Sequence, residues 1–433
     1  MTRMKNGIKG ALAAIMGAGI GLTGVQAQVS GVPDDAARNP DTGVRLAPGF
    51  EATVFADGIG RARHMAVSAD GWVYAALMRP TEDGFGAVAL KDTDGDGKAD
   101  RTEYFAPGLS GTGMRLHDGA LYYGDDTSIV RFSLADGPVP SGAGTVVMDG
   151  FPEQRAHAAK SLAFDGEGML YVNVGAPSNA CMTETRVKGS PGARPCPDLE
   201  LQASVWMLNP DGDDQTFPDD AVRHSTGHRN AVALEWNHQA DGLYLVQHGR
   251  DQLHQFFPDI YSVAESAELP AEEFHRVDRG DDLGWPFSYY DHRKGSRMVM
   301  PEYGGDGDTV SDHGKKPLLG FPGHWAPNGL LFRQTGAWPD GWRTGAFIAF
   351  HGSWNRSPVQ EGYRIVYVPM DADGTVTGDW VTFADGFAGE DKVTSPRQAE
   401  HRPTGLTEGP DGAMYVSSLM SGGRIWRVTH AQD

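Results

Sequence analysis

Hydrophobic and polar residues alternate along this chain in short runs, and six of the runs begin with the same kind of turn. In most of them an acidic residue precedes glycine, and an aromatic or large apolar residue stands near the end of the run. Such turns connect the strands of hairpins, and the alternation predicts strands with one buried face. The six segments are Asp70–Tyr74, Asp118–Tyr122, Glu167–Tyr171, Asp241–Tyr244, Gly345–Ile348 and Asp411–Tyr415.

A turn followed by a strand cannot bury its own apolar face, so repeated units of this kind must stack on one another. Stacking around a ring produces an all-β fold, the β-propeller, and six repeats predict six blades. Gly71, Gly119 and Gly168 are 48 and 49 residues apart, which fits one four-stranded blade per repeat. The longer spacings to Gly242 and Gly345, 74 and 103 residues, predict blades with inserted loops, which often build the functional site of a propeller.

The first 27 residues follow a different pattern. A basic start with Arg3 and Lys5 precedes an apolar run over residues 11–25 and a small-x-small site that ends at Ala27. This order is typical of a cleaved secretory signal peptide, and the run is too short and too rich in Gly and Ala for a membrane anchor. We therefore expect a signal peptide over residues 1–27, no membrane span, and a periplasmic or secreted protein.

The remaining chain is predicted to form one domain, because no Ser- or Pro-rich linker divides it. Residues 28–43 are predicted to be an extended N-terminal arm, and residues 44–433 a single six-bladed propeller domain. Propellers grow by adding blades, so a chain of about 400 residues does not have to split into smaller domains.

Charge and cysteine content narrow the possible partners. A net charge of −20 makes nucleic acid and anionic membranes poor partners. Cys181 and Cys196 are the only cysteines, and in an exported chain such a pair is expected to form a disulfide; a thiol catalyst is the alternative. The chain has no Cys-x-x-Cys-His motif for covalent haem, so electrons from any redox reaction would have to pass to a separate acceptor.

Residues 92–103 have the spacing of a calcium-binding loop, with acidic residues at positions 1, 3, 5, 9 and 12 and glycine at position 6. Strand-like residues flank the loop, so we expect it at the tip of a hairpin, with a structural role. The alternative is a solvated acidic turn. The predicted ligands are the carboxylates of Asp92, Asp94, Asp96, Asp100 and Glu103 and the backbone carbonyl of Lys98.

Histidines and arginines occur together at several predicted strand ends, as in Arg63-His64 and His228-Arg229. In a propeller, loops of this kind can meet at one mouth of the central channel. An arginine cluster there would suit a planar ligand with carboxylates, because a guanidinium group pairs with a carboxylate through two bonds. Alternatively, each arginine only links blades. We find no zinc-ligand spacing such as His-x-His.

Six further segments follow one another in a specific order. They are His157–Phe164, Gly227–Leu234, His248–Asp251, Gly284–Pro286, His351–Arg356 and Arg402–Leu406. Together they resemble the soluble family of glucose/sorbosone (aldose sugar) dehydrogenases that depend on pyrroloquinoline quinone (PQQ). The resemblance extends from about Ala47 to Val428 and implies a six-bladed propeller, in agreement with the six repeats.

The resemblance also implies roles for individual residues. His157 aligns with the general base of the family, and Arg229 with an arginine over the reacting carbon. Asn230 aligns with a residue that contacts the quinone. The backbone carbonyls of Gly249 and Arg250 align with those that hold Ca²⁺ at the cofactor.

Three more residues are implied in binding the cofactor. Asn355, Arg356 and Arg402 lie in the segments that bind its carboxylates. One departure concerns Gly175, which is followed by Ala176 where glucose-type enzymes place an acid. This departure leaves the identity of the substrate open.

The activity implied by the resemblance is oxidation of a sugar, either an aldose or a sorbosone-like aldehyde, by hydride transfer to PQQ with His157 as base. The partners would be the sugar and a separate electron acceptor, a cytochrome or a quinone. The residues leave two alternatives: a calcium-dependent propeller hydrolase of the lactonase type, and a non-catalytic carbohydrate-binding propeller.

Overall fold

The structure, a computed structural model, describes residues 29–431, which form a ring of six antiparallel sheets. The six-bladed, all-β propeller predicted from the repeats is therefore confirmed. The predicted signal peptide, residues 1–27, lies outside the described residues.

The first strands of the ring belong to its last two blades: β1 (Arg45–Leu46) and β2 (Phe50–Asp57). Blade 1 consists of β3 (Ala62–Val67), β4 (Val73–Leu77), β5 (Phe85–Lys91) and β6 (Arg101–Pro107). Blade 2 consists of β7 (Gly111–His117), β8 (Ala120–Asp125), β9 (Ile129–Ser133) and β10 (Thr145–Asp149). Blade 3 consists of β11 (Leu162–Phe164), β12 (Leu170–Val174), β13 (Ser204–Leu208) and β15 (Val222–Thr226), while β14 (Gln215–Thr216) pairs with β10 at the edge of blade 2.

The longest insertions of the ring belong to blades 3 and 4. Blade 4 consists of β16 (Ala233–Asn237), β17 (Gly242–Gln247), β18 (Glu272–Val277) and β21 (Leu319–Phe321), with an inserted hairpin of β19 (Ser288–Asp291) and β20 (Ser296–Val299). Blade 5 consists of β22 (Pro327–Phe332), β23 (Ala346–Phe350), β24 (Arg364–Val368) and β25 (Val381–Asp385), with β1 at its edge. Blade 6 consists of β26 (Pro403–Glu408), β27 (Met414–Ser418) and β28 (Arg424–His430).

The two ends of the chain meet in blade 6, because β2 pairs antiparallel with β28 and supplies the fourth strand. This pairing closes the ring with main-chain hydrogen bonds. The preceding segment follows the outer edge of blade 5, where the amide of Val32 donates to the carbonyl of Thr382 at 2.8 Å. The innermost strands β3, β7, β11, β16, β22 and β26 are neighbours in that order around the central channel.

All six repeated turns lie between the first and second strands of a blade, at the same end of the ring. Gly71 and Gly412 have φ angles of 86° and 80°, the left-handed conformation expected of glycine in these turns. In blade 4 the roles change, since Asp241 takes the positive φ of 45° and Gly242 begins β17. The Asp-Gly pair thus predicts the turn, but not which of its two residues carries the strained angle.

The hydrophobic core lies between neighbouring blades. One cluster joins Phe347 and Tyr367 of blade 5 to Met414 and Trp426 of blade 6, and all four side chains are buried. The rings of Phe347 and Tyr367 have centroids 4.7 Å apart.

Blade 5 also packs against blade 4, because Ile348 lies in a second cluster with Tyr244. Each blade thus buries both faces, and the prediction of strands with one buried face is wrong for strands such as β23, which is buried throughout. The physical reason is that a blade in a closed ring lies between two neighbours.

Helices are few and short. Helix α2 begins with a capping box, in which the Ser262 hydroxyl accepts from the Glu265 amide and the Glu265 carboxylate accepts from the Ser262 amide. Among residues 29–431 no helix has the length and apolar character needed to cross a membrane. The helices in the described part of the chain are α1 (Leu253–Phe256), α2 (Val263–Glu268) and four 3₁₀ turns, Pro197–Leu199, Pro301–Tyr303, Asp340–Trp342 and Pro396–Gln398.

Two long insertions extend from the end of the ring opposite the repeated turns. Residues 175–203 join β12 to β13 and contain the Cys181–Cys196 disulfide, so the predicted pairing is confirmed. Residues 248–271 join β17 to β18 and contain both α-helices. A separate apolar cluster, which includes the disulfide and residues of the second insertion, packs the two insertions together.

Candidate active site

A cleft of about 620 Å³ opens at the end of the central channel from which the insertions extend. Every blade contributes residues to its wall, mainly from the starts of first strands and the ends of second strands. The structure thereby brings together residues that are far apart in the sequence. Five of the predicted site residues line this cleft: His157, Arg229, Asn230, Gly249 and Asn355.

Arg250 does not line the cleft. Its guanidinium group is fully buried, pairs with the Glu302 carboxylate at 2.8 Å and lies over the ring of Phe256. The side chain therefore anchors the second insertion to the segment around Glu302. The role predicted for Arg250 concerns its backbone carbonyl and stays a prediction.

The two predicted carboxylate-binding arginines also lie outside the cleft wall. Arg356 pairs with Glu268 at 2.5 Å and with Glu361 at 3.1 Å. Arg402 is buried beneath Trp354, with its guanidinium carbon 3.8 Å from the centre of that ring. Both arginines already have partners, so each would have to exchange them to bind a cofactor directly, and their roles stay predictions.

His157 adopts a backbone conformation that is uncommon for a residue other than glycine, with a φ of 56°. Its Nδ1 lies 2.5 Å from the carbonyl oxygen of Ala176, and a carbonyl can only accept, so Nδ1 carries the proton. Nε2 has no partner among residues 29–431 and keeps its lone pair. Burial and the charge of Arg229 lower the pKa of His157 to about 3, so the imidazole is neutral near pH 7.

Ala176 explains how the histidine is oriented without the acid that glucose-type enzymes have at this position. Its carbonyl accepts from His157, while its amide donates to the carbonyl of Arg229 at 2.7 Å. One peptide unit therefore links the two residues predicted to be catalytic. A carbonyl fixes the tautomer of His157 as a carboxylate would, but it adds no negative charge that would raise the pKa.

Gly175 allows this close approach. A Cβ atom at residue 175 would lie 2.7 Å from Oδ1 of Asn230 and 2.7 Å from Cβ of His157. Both distances are shorter than a van der Waals contact. Glycine at the end of β12 is therefore needed for His157 and Asn230 to pack side by side.

Arg229 is held by four hydrogen bonds. Asn179 accepts from Nε through its backbone carbonyl and from Nη2 through Oδ1, both at 3.1 Å. The carbonyl of Gly249 accepts from Nη1 at 3.0 Å, and Asp251 accepts from Nη2 at 2.9 Å. The guanidinium group thus has a fixed orientation, and the insertion that contains the disulfide supplies two of its four acceptors.

Sequence reasoning missed an acidic group in the same wall. Asp251 bonds to Arg229 and lies 3.6 Å from Nδ1 of His324. Burial opposes ionisation of Asp251, but Arg229 and His324 outweigh it and lower the pKa of the carboxyl below its usual range. Burial also opposes protonation of His324, yet the hydrogen bond to Asp251 and its charge raise the pKa of the imidazole.

Glu272, at the start of β18, is a second missed carboxylate. It accepts from the amide of Gly249 at 2.8 Å and from the amide of Ala326 at 3.0 Å. Burial raises its pKa to about 7, against the effect of these two bonds. Asp251 directly follows the His248-Gly249-Arg250 motif and could have been assigned from that position, whereas no local pattern marks Glu272.

The predicted calcium loop lies at the other end of the ring. It joins β5 to β6, as expected for a hairpin tip, and Lys91 at its base donates to the carbonyl of Asp70 in a repeated turn. Carboxylate oxygens of Asp92, Asp94 and Asp96 lie within 4.8 Å of one another. The structure thus brings three of the predicted ligands together, far from the cleft.

The other acidic residues of the loop have different partners. Asp100 accepts from the amide and hydroxyl of Thr93, at 3.2 and 2.5 Å. Glu103 pairs with Arg101 at 2.5 Å on the exposed face of β6. The roles of Asp100, Glu103 and the carbonyl of Lys98 as ligands stay predictions.

Comparison with known proteins shows the family. A sequence model of the family described as TrAA12-like matches residues 44–431. An uncharacterized protein of Borreliella burgdorferi is 26% identical over 205 residues, which are 47% of each chain. A PQQ-dependent pyranose dehydrogenase of Coprinopsis cinerea is 31% identical over 164 residues, 32% of this chain and 21% of that protein. The matches thus span about half and about a fifth of these two relatives.

Solved structures show the same fold. The calcium structure of a Trichoderma reesei protein of Carbohydrate-Active Enzymes Family AA12 has a TM-score of 0.72 at 17% identity, covering 94% of this chain and 99% of that one. The holo form of the PQQ domain of the Coprinopsis cinerea pyranose dehydrogenase has a TM-score of 0.70 at 17% identity, covering 92% and 99%. The resemblance to PQQ-dependent sugar dehydrogenases is thereby confirmed, and the chain belongs to the TrAA12-like family.

Proposed function

We propose that this protein is a PQQ-dependent oxidoreductase that oxidises a sugar, with His157 as the general base. The observation that carries the proposal is the geometry of His157: Nδ1–H bonds to Ala176, and the unprotonated Nε2 belongs to a cleft that Arg229 also lines. The comparisons support PQQ as the cofactor. One sequence relative is a PQQ-dependent pyranose dehydrogenase, and one similar solved structure is the holo form of a pyranose dehydrogenase PQQ domain.

The residues of the cleft suit PQQ, a planar quinone with carboxylates. Arg63 is half-buried at the cleft, and its buried Nε has no partner among the described residues, so the group can donate to a ligand. Arg229, Asn230 and Asn355 add further donors in the same wall. Guanidinium groups recognise carboxylates through paired hydrogen bonds, which matches the chemistry of this cofactor.

Oxygen donors suitable for Ca²⁺ lie in the same wall. Ca²⁺ prefers carboxylate and carbonyl oxygens, and the cleft offers those of Gly249, Asp251 and Glu272. The carbonyl of Gly249 accepts from Arg229 in this structure, so Ca²⁺ would compete with that bond. When bound, PQQ supplies a quinone that accepts a hydride, and Ca²⁺ polarises it as a Lewis acid.

The residues of the chain itself accept one proton from the sugar and stabilise the negative charge that develops on it. His157 takes the proton of the sugar hydroxyl on Nε2, while Nδ1–H remains bonded to Ala176, so the ring becomes a cation without turning. Arg229 stabilises negative charge that develops on the reacting oxygen, and its fixed bonds avoid reorganisation during the reaction. The electrons then pass to a separate acceptor, a cytochrome or a quinone. The disulfide supports an oxidising location, periplasmic or secreted.

The test separates cofactor binding from turnover. PQQ affinity is measured by calorimetry with Ca²⁺ present, and turnover by reduction of a dye with a panel of aldoses. We expect His157→Ala to lower kcat by about 10²- to 10⁴-fold with little change in PQQ affinity. His238→Ala is the matched control, because His238 is exposed and lies at the opposite mouth of the channel.

Two results would contradict the proposal. An unchanged kcat in His157→Ala would remove that residue from the mechanism. Failure of the wild-type protein to bind PQQ in the presence of Ca²⁺ would favour the calcium-dependent hydrolase or the carbohydrate-binding propeller instead.

A further inference from the structure

Arginine is the most frequent charged residue in the wall of the cleft, although the protein as a whole is acidic. Five arginines line the cleft against three carboxylates, while the chain carries a net charge of −20. A cleft of one sign within a surface of the other concentrates the field and attracts ligands of opposite charge. The lining arginines are Arg61, Arg63, Arg79, Arg155 and Arg229.

The three carboxylates of the wall neutralise only part of the charge of the five arginines. Asp251 pairs with Arg229 at 2.9 Å and lies 3.6 Å from Nδ1 of His324, so its charge is already matched. Glu272 bonds to two backbone amides and faces no arginine within ion-pair distance. Asp126 is more than half buried in the field of Arg63, and burial raises the pKa of its carboxyl. The cleft therefore keeps an excess of positive charge.

Three of the five arginines are unpaired. Arg61, Arg79 and Arg155 are exposed, and their side chains make no hydrogen bond, ion pair or ring contact with any residue between 29 and 431. Most arginines elsewhere are satisfied, as Arg297 is by Glu273 at 2.7 Å. These three, which we call the rim arginines, do not support the fold through any contact. Their guanidinium groups are free to bind a ligand that enters the cleft.

Exposure separates the rim arginines from the two other arginines of the cleft. Arg229 is buried and held by the four hydrogen bonds described above, and Arg63 is half-buried with its Nε shielded from solvent. A cofactor seated deep in the channel would meet these two first. The rim arginines, at the solvent side of the same wall, would meet whatever lies between the cofactor and the solvent, which is the position of the substrate.

We propose that the substrate of this site is an acidic sugar, a hexuronate or a saccharide that ends in one, and that the rim arginines bind its carboxylate. The inference rests on the oxidoreductase function proposed above. A guanidinium group pairs with a carboxylate through two charge-assisted bonds, which a neutral aldose cannot offer. The oxidation balances as for any aldose: the anomeric carbon loses a hydride to the quinone, the anomeric hydroxyl loses its proton to His157, and the product is the lactone of the corresponding aldarate.

The test compares matched acidic and neutral sugars with the PQQ- and Ca²⁺-loaded enzyme and a dye as acceptor. The pairs are D-glucuronate with D-glucose and D-galacturonate with D-galactose, at low ionic strength. We expect kcat/KM to be at least about tenfold higher for each acid, mainly through a lower KM, as charge-assisted bonds of this strength imply. Added salt should reduce the preference because the rim is exposed.

The variant that tests the assignment replaces Arg61, Arg79 and Arg155 together by Gln. In this variant the kcat/KM values for the acidic and the neutral sugar of each pair should lie within about threefold of each other, because the bonds to the carboxylate are lost. Arg279→Gln is the matched control, since Arg279 is exposed and follows β18 at the opposite end of the ring. PQQ affinity is measured for each protein by calorimetry.

Three outcomes would overturn the proposal. The first is that the wild-type enzyme uses neutral sugars as well as or better than the acids. The second is that the triple variant loses PQQ affinity while the sugar ratio is unchanged, which would assign the rim arginines to the cofactor. The third is that the triple variant keeps the sugar ratio with the dye but turns over more slowly when an acidic redox protein replaces the dye, which would make the rim a docking site for the electron acceptor.

Failure of the oxidoreductase function itself would give a different result. If the protein does not bind PQQ, binding of D-glucuronate to the cofactor-free protein is followed by saturation-transfer NMR, with D-glucose as the neutral reference. A glucuronate signal that the triple variant abolishes supports the acidic-sugar site even then. Equal signals for both sugars, or for wild type and variant, overturn it.

Discussion

Asn179 binds Arg229 along one edge of the guanidinium group, with its backbone carbonyl on Nε and its side-chain oxygen on Nη2. The same side-chain oxygen accepts from the amide of Asp251, and Nδ2 donates to the carbonyl of Asp251. Asn179 lies two residues before Cys181, inside the insertion that contains the disulfide. The insertion in blade 3 therefore orients the proposed catalytic arginine in blade 4.

Replacing Asn179 by Ala should lower kcat more than it raises KM, by about 10- to 100-fold, because Arg229 loses a side-chain acceptor and its fixed orientation. Asn179→Asp, which keeps an acceptor in place, should recover part of the loss. Asn209→Ala, in a turn at the other end of the ring, is the control. The measurement is steady-state kinetics of each enzyme loaded with PQQ and Ca²⁺. A kcat of Asn179→Ala within twofold of wild type would show that Asn179 does not orient Arg229 for catalysis.

Removal of the disulfide should affect turnover as well as stability. In the double variant with Cys181→Ser and Cys196→Ser, we expect the free energy of unfolding to fall by about 3 kcal/mol, the typical effect of a cross-link that closes a loop of this length. We also expect kcat to fall, because Asn179 is no longer anchored next to Arg229. Chemical denaturation and dye-linked assays measure the two effects, and full activity at a temperature where the variant is folded would contradict the second.

The ionisation of His157 gives a prediction for the cofactor-free protein. Burial lowers the pKa of this histidine from 6.5 to about 3, so NMR titration should show no protonation of His157 between pH 8 and pH 5. The unfolded chain binds this proton near pH 6.5 and the folded chain does not, so His157 makes folding less favourable as the pH falls below 6.5. His157→Asn identifies the resonance. A midpoint near 6.5 would show that the imidazole is not buried as described.

Replacing Gly175 by Ala should disturb the site without unfolding the protein. The added Cβ would press against Asn230 and His157, and a displacement of about 1 Å at a reacting group can lower the rate about 100-fold. Gly166→Ala is the control, because a Cβ at that position meets no atom within 4 Å. Both variants are compared by kcat and by melting temperature, and equal kcat values would show that the site accommodates the methyl group.

The loop over residues 92–103 is predicted to bind Ca²⁺ for stability. In the double variant with Asp92→Asn and Asp96→Asn, calorimetric titration should show one Ca²⁺ site fewer than in wild type, and the melting temperature in Ca²⁺ should fall. Sugar oxidation should remain, because the loop lies at the other end of the ring from the cleft. Asp371→Asn, in a similar acidic turn, is the control. An unchanged number of sites would make the loop a solvated turn.

Much of the fold was predictable from local sequence. The pair Asp118-Gly119 specifies a hairpin turn through the conformations of two adjacent residues, and the apolar and aromatic residues of Ala120–Asp125 specify the strand β8 that follows it. Both effects involve neighbours in the chain. Six such units that cannot bury their own faces leave a closed ring as the way to cover them, so the number of blades followed from the number of repeats.

The site was predictable only in part. His157, Arg229 and Asn230 occur in recognisable segments, and the structure brings all three to one cleft. Arg356 and Arg402 occur in equally recognisable segments, but the structure pairs one with Glu268 and buries the other under Trp354. A sequence motif does not show whether a charged side chain reaches the cleft or instead contacts a residue elsewhere in the fold.

The sequence by itself determined the turns, the strands that follow them, the six repeats and the position of the acidic loop, because each depends on residues a few places apart. Only the tertiary structure decided that Asn179 orients Arg229, that a carbonyl rather than an acid orients His157, and that three unpaired arginines share a rim. The physical reason is that closing the ring brings loops of different blades together, and the contacts made there depend on that closure rather than on any local pattern.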